Sequence, residues 1–267
     1  MLSGFVRPKG SKEPLGMLAG LPWSAYLTVL LVYGVYQMYT WGPAGLCLYM
    51  GLSALNCWLD GLISNSPGEN VRWLRHNGFG DGFVLGSMAA NLVSSAVTGY
   101  ALVQYILGAA PHLFAPMALA GAFVESPVRL LEVAANMLLA EAAFTGAHAL
   151  LHQTSLAPLH RMHHCCRASS FSTNLVFHPL DLALEFSGPV ALVTAAHWLL
   201  WDDLPVLLLS FVLVQTWYAL DHDEYLAFFH YYHHKHINSN YTIYLHHRSD
   251  PQRNVLKDLI ARPPDAA

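Results

Sequence analysis

The chain has 267 residues, enough for one large domain or two small ones. Apolar residues make up 54% and charged residues 11%, against the roughly 25% charged that is usual for soluble domains, so composition favours a membrane-embedded unit. A formal net charge of -4 without a basic stripe argues against a nucleic-acid partner, and the four cysteines form neither a C-x-x-C motif nor a disulfide framework.

Residues 1–20 are polar to mixed, with Arg7, Lys9 and Lys12, and read as a short lead-in without a signal-peptide layout. The first apolar span is expected over 24–41, and the second over 43–63 after the Gly42-Pro43 turn. Asn65 to Asp81 reads as a polar loop. Its Gly78-Phe-Gly80-Asp-Gly82 has the wrong spacing for a nucleotide loop and reads as a turn. A third span covers 83–107. Pro111 to Phe123 is apolar but short, which suits a kinked or re-entrant piece. A fourth span, about 128–147, carries Glu132 and Glu141 towards the first histidines, where acidic residues can partner ligating imidazoles.

The histidines then come in groups. His148 and His152 are four apart, and His160, His163 and His164 follow as H-x-x-H-H. The spacings i, i+3 and i+4 place such residues on one helix face, close enough to share an ion. A polar loop, Cys165 to Asn174, leads to Phe177-His178-Pro179-Leu180-Asp181. Spans over 185–201 and 204–220 follow, joined at Asp202-Asp203 by a turn too short for anything but a hairpin. The chain re-emerges at Asp221-His222-Asp223-Glu224-Tyr225 and delivers His230, His233 and His234, a second H-x-x-H-H. With these spans, every lysine and arginine but Arg129 falls on one side together with the clustered histidines. The positive-inside rule makes that side cytoplasmic.

So many imidazoles exceed the four ligands of a structural zinc and the three of a hydrolytic one. They suit two metals at about four or five ligands each, and redox iron is at home among nitrogen ligands. There is no Rossmann, flavin or haem motif, so electrons for redox chemistry would come from a separate protein. His76, His112 and His197 stand alone and read as ordinary residues. His246 and His247 read as surface residues, and His236 as either a surface or a further site residue.

The order H-x-x-x-H, H-x-x-H-H, H-P-x-D, H-D and H-x-x-H-H, closed by Asn240-Tyr241, resembles the fatty acid hydroxylase/sterol desaturase superfamily of membrane di-iron oxygenases. The likeness covers about residues 140–245. It implies an all-α, polytopic membrane helical bundle with a cytoplasmic histidine-rich di-metal cap: the 1–20 lead-in, then one membrane-embedded domain over 21–267. It implies two Fe ions held by His148, His152, His160, His163, His164, His230, His233 and His234, with His178 and His222 also carried over. It further implies hydroxylation or desaturation of a lipid from the bilayer (sterol, fatty acyl or sphingoid) using O2. The electron donor would be a cytochrome b5-type protein or another reductase, and the location the endoplasmic reticulum. The chain departs from the family after Asn240-Tyr241, where Thr242-Ile-Tyr-Leu-His-His-Arg248 replaces a Trp-Asp-x-x-x-Gly-Thr segment. A zinc-dependent lipid amidase of the alkaline-ceramidase kind, a metal carrier and an inactive relative remain as alternatives.

Overall fold

The structure, a computed structural model, describes residues 34, 37–63, 66–167, 171–220, 222, 230, 233–234, 237, 241–242 and 254–264. Among these residues every regular element is helical. In chain order they are α1 (Pro43–Ile63), α2 (Ser66–His76), α3 (Asp81–Ala109), α4 (Pro116–Glu125), α5 (Val128–Gln153), α6 (Ala157–His164), α7 (Pro179–Trp201) and α8 (Leu204–Leu220). Helices α3, α5 and α7 are each long and apolar enough to cross a membrane. α1 coincides with the expected second span. Of the expected first span, 24–41, only residue 34, residue 37 and the 3-10 turn Met38–Trp41 are described.

Burial follows the rule of a protein solvated by lipid. Leu85, Leu131, Leu138 and Leu199 are exposed, whereas Asn56, Asn91, Asn136 and Ser210 are buried. In water the large apolar groups would be inside, but between lipid tails it is the polar groups that must find partners within the bundle. Asn136 on α5 does so, donating to Ser210 on α8 at 3.0 Å and accepting from the Trp201 indole at 3.1 Å.

The bundle core gathers Val103 and Ile106 of α3, Ala140 and Phe144 of α5, Val190 and Val193 of α7, and Leu207, Leu208 and Phe211 of α8. For helices that sit in a bilayer, close packing rather than water exclusion supplies most of such attraction. Two glycines permit the approach. A Cβ on Gly45 would sit 1.6 Å from the Met38 carbonyl oxygen, and one on Gly99 would sit 2.9 Å from the Tyr39 ring. Gly42 turns the chain into α1 with φ of 68°, in the left-handed region that favours glycine.

α7 and α8 meet at the expected hairpin, where Asp202 takes a φ of 46°. Asp203 accepts from the Val206 amide at 3.3 Å and pairs with Arg129 at 2.7 Å. Arg129 is the one basic residue that falls outside the positive side in the sequence reading, and here its charge is matched. The short apolar piece resolves into the 3-10 turn Pro111–Phe114 and α4.

One expectation is corrected. Residues 66–76, read as loop, form the amphipathic helix α2. Its Glu69 lies in the first turn and Arg75 and His76 in the last, a charge order that suits the helix dipole. Trp73 and Leu74 bury against Met162, Cys165 and Cys166 beside α6, in a second core distinct from that of the bundle.

Candidate metal centre

α5 ends in His148 and His152, whose four-residue spacing turns both rings the same way. α6 is a short helix opened by Ala157-Pro158, with proline in its first turn, where the missing amide is not needed. It carries His160, His163 and His164. His148, His152, His160, His163, His164, His222, His230, His233 and His234 are all buried, none more than 2% exposed.

The rings converge in two groups of four, each with its ligand nitrogens within 4.8 Å of one another. The first holds His148, His152, His164 and His233; the second holds His163, His222, His230 and His234. An H-x-x-H-H segment therefore does not serve a single ion, as its spacing alone suggests. Adjacent residues on a helix point about 100° apart, so His163 and His164 feed different groups, and His233 and His234 divide in the same way.

The protonation pattern follows from the outer nitrogens. His163 Nδ1 faces the Val176 carbonyl at 3.2 Å, and His234 Nδ1 faces that of Cys166 at 3.2 Å. His152 Nδ1 faces Asn254 Oδ1 at 3.3 Å, His160 Nδ1 faces Asp181 Oδ2 at 2.8 Å, and His222 Nδ1 faces Asn174 Oδ1. The orientation of Asn254 is set by its own bonds: Nδ2 donates to the Ile237 carbonyl, and Oδ1 accepts from the Leu256 amide. Each of these oxygens accepts, so each Nδ1 carries the proton and each Nε2 is left with a bare lone pair.

Those lone pairs point at one another. In the second group Nε2 of His222 lies 3.1 Å from that of His163 and 2.9 Å from that of His234. With every proton on Nδ1 these are repulsive contacts rather than hydrogen bonds. In the first group His152 Nε2 lies 3.0 Å from His148, 3.0 Å from His164 and 3.2 Å from His233. A cation between them turns the repulsion into ligation. Nitrogens about 2.1 Å from one ion are separated by about 3.0 Å at right angles and by about 3.4 Å in a tetrahedron. The observed edges, 2.9 to 3.2 Å, are of this order, and the donor set fits a divalent transition metal in both groups.

Burial among other imidazoles pushes His163, His164 and His234 well below the ordinary histidine range, and His222 down to about 3. All four are thus held neutral, the form that binds metal.

Supports surround the rings. Phe177 stacks on His163 with centroids 3.7 Å apart. Tyr241 packs against His152 at 4.7 Å and against His148 and His233. Asn91 of α3 donates to the carbonyls of Leu175 and Phe177 at 2.9 and 2.8 Å, pinning the segment that offers Asn174 and Val176. His160 packs against His148, His152, His163 and His164, and among the described residues its buried Nε2 has no hydrogen-bond partner.

Of the ten expected ligands, eight stand in the two groups and His160 stands beside them. His178 joins neither. It is the N-cap of α7: its Nδ1 accepts from the Leu180 amide at 3.2 Å, with Pro179 opening the helix. His76 and His112 are exposed, and His197 is buried beside Tyr105. His236, His246 and His247 lie outside the described residues.

The carboxylates described against the centre come from α7, as Asp181 and as Glu185, which sits in a π-helical turn 3.7 Å from His148 and from His160. Of the two glutamates expected to serve, Glu141 is buried in α5 and Glu132 is only half-buried. Asp181 stands in the H-P-x-D segment and could be found from that pattern. Asn174, Glu185 and Asn254 carry no local signal, because their roles arise from tertiary contacts.

Compared with known proteins, the chain matches no family model, no curated protein and no solved structure.

Proposed function

We propose that the chain is a membrane di-iron oxygenase that hydroxylates or desaturates a lipid C–H bond with O2 and externally supplied electrons. One observation carries the reading: two adjacent groups of four buried imidazoles bring their ring nitrogens within 4.8 Å of one another, beside helices long and apolar enough to cross a bilayer. Iron in both groups would supply the O2 activation and one-electron chemistry that side chains lack.

The chain's own residues do the rest. Eight imidazoles would hold the metals, and Asp181, Asn174, Asn254 and two backbone carbonyls fix the proton of each attached ring on Nδ1. The buried surroundings keep water from the centre. The apolar helices α3, α5 and α7 give a lipid chain or sterol direct access from the bilayer. Arg72, Arg75, Arg161 and Arg167 belong to elements packed at the histidine end. By the positive-inside rule that end is cytoplasmic, where a cytochrome b5-type protein or another reductase can dock, and the membrane is that of the endoplasmic reticulum.

The test is lipid mass spectrometry on a eukaryotic host expressing the chain or its His163→Ala variant under labelled O2. A lipid gaining one labelled oxygen with wild type only identifies a hydroxylase and its substrate class. A lipid losing two hydrogens without label identifies a desaturase. No lipid change, together with purified protein holding zinc instead of iron, sinks the oxygenase reading and favours the amidase.

A further inference from the structure

Resting on the metal-centre reading, we infer that residues 254–264 are a strap that completes the centre, and that strap docking and metal binding stabilise each other. The last turn of a helix leaves its carbonyls without partners inside the helix. At the end of α5 the strap supplies one: the Val255 amide donates to the His152 carbonyl at 3.0 Å. The adjoining Asn254 takes hold of the His152 ring itself, with Oδ1 3.3 Å from Nδ1. That side chain is held in turn. Its Nδ2 donates to the Ile237 carbonyl at 2.8 Å, and its Oδ1 accepts from the Leu256 amide at 3.1 Å. The Asx turn so formed leads into the 3-10 turn Leu256–Leu259, and Leu256 is fully buried.

The strap is anchored again at its far end. Ile260 packs against the second core, which holds Trp73 of α2 and Met162 of α6. Ala261 pairs with Asn77, just past α2: its amide donates to Asn77 Oδ1 at 2.7 Å, and its carbonyl accepts from Asn77 Nδ2 at 2.9 Å. The Asn77 backbone carbonyl accepts from Arg161 of α6 at 3.0 Å. One segment thus ties α5, α6 and α2 together. The His152 ring stands between metal position and strap: Nε2 faces the other three imidazoles of its group, and Nδ1 faces Asn254. A docked strap keeps the proton on Nδ1 and leaves Nε2 free to ligate. Undocking frees the ring to turn, or to carry its proton on Nε2, where it cannot ligate. A metal that holds the ring in the docked orientation favours docking by the same factor, because coupling between two equilibria is reciprocal.

The experiment is hydrogen–deuterium exchange of the peptide over residues 254–262, read by mass spectrometry on the full chain in detergent. The chain is either stripped with a chelator or loaded anaerobically with ferrous iron, and iron affinity is measured in parallel by equilibrium dialysis. Iron should slow exchange of the strap about 10- to 100-fold. Asn254→Leu, which removes the acceptor at similar volume, should weaken binding of one iron equivalent by the same factor. Asn254→Asp keeps the acceptor and should bind iron close to wild type. Asn77→Ala, at the far anchor, should speed strap exchange and weaken the same equivalent by a smaller factor. Exchange that iron leaves unchanged, or wild-type affinity in Asn254→Leu, overturns the linkage and leaves the metal centre standing. Equal losses in Asn254→Leu and Asn254→Asp assign the side chain to Ile237 alone and overturn its hold on the His152 ring. The exchange measurement on wild type stands even where Asn254→Leu fails to fold. A wild-type chain that binds no iron overturns the centre itself, a failure that dialysis alone identifies.

Discussion

Phe144 and His148 lie one turn apart on α5 with ring centroids 5.1 Å apart, yet they belong to different kinds of interior. Phe144 faces the bundle core with Tyr218, Val190 and Phe211, where shape and volume are what matter. His148 faces imidazoles and a carboxylate, where proton position and charge are what matter. The bundle therefore tolerates conservative exchange, and the histidine centre does not. The two regions should come apart under mutation: changes in one lower stability with the metals retained, and changes in the other lose metal while the bundle still folds.

The sharpest break comes from the centre. His164→Ala or His233→Ala should cost one metal equivalent per chain and all lipid product, with the circular dichroism spectrum of the helices unchanged. In the bundle, Phe211→Ala should lower stability by about 3–5 kcal/mol through the cavity it leaves. Metal content per folded chain should stay at the wild-type value. A smaller effect is expected at the contact between α3 and Tyr39, where Gly99→Val should cost about 1–3 kcal/mol by overpacking, read as a lower melting temperature in detergent.

Acidity separates the regions in a different way. In metal-free protein the folded His222 titrates near 3, and His163, His164 and His234 lie well below the ordinary 6.5. Above about 6.5 folded and unfolded states are both neutral and these groups exert no effect. As pH falls from there towards about 3, the unfolded chain binds protons that the folded centre refuses, so stability is lost across that window. Protease cleavage in the cap should rise between pH 6 and pH 4, assay values chosen inside that window, before the bundle melts. Cleavage that is flat across this range would contradict the neutral, buried state of these imidazoles.

The same division explains what could be read from residues alone. Apolar runs predicted α1, α3, α5, α7 and α8 closely, because a long apolar helix is marked by its composition more than by its order. The hairpin at Asp202 was legible from its shortness. Residues 66–76 were not, since a polar helix with Pro67 looks like loop until Trp73 and Leu74 find Met162. Histidine spacing pointed to eight of the residues that the fold gathers, and the resemblance to His222, but neither pointed to their sharing between two groups, which depends on the angle between neighbours such as His163 and His164. His178 was drawn in by its place in H-P-x-D, although a residue before proline at a helix start has a capping role available. Asn254 lies 102 positions from the His152 it supports, and no local pattern could connect them.

The most direct measurement of the central claim is the metal count of the full chain purified without chelators, wild type beside His164→Ala and His222→Ala. The account predicts two iron ions per wild-type chain and one in each variant, lost from a different group in each. A wild-type chain holding no metal, or a single zinc that survives both substitutions, would contradict it.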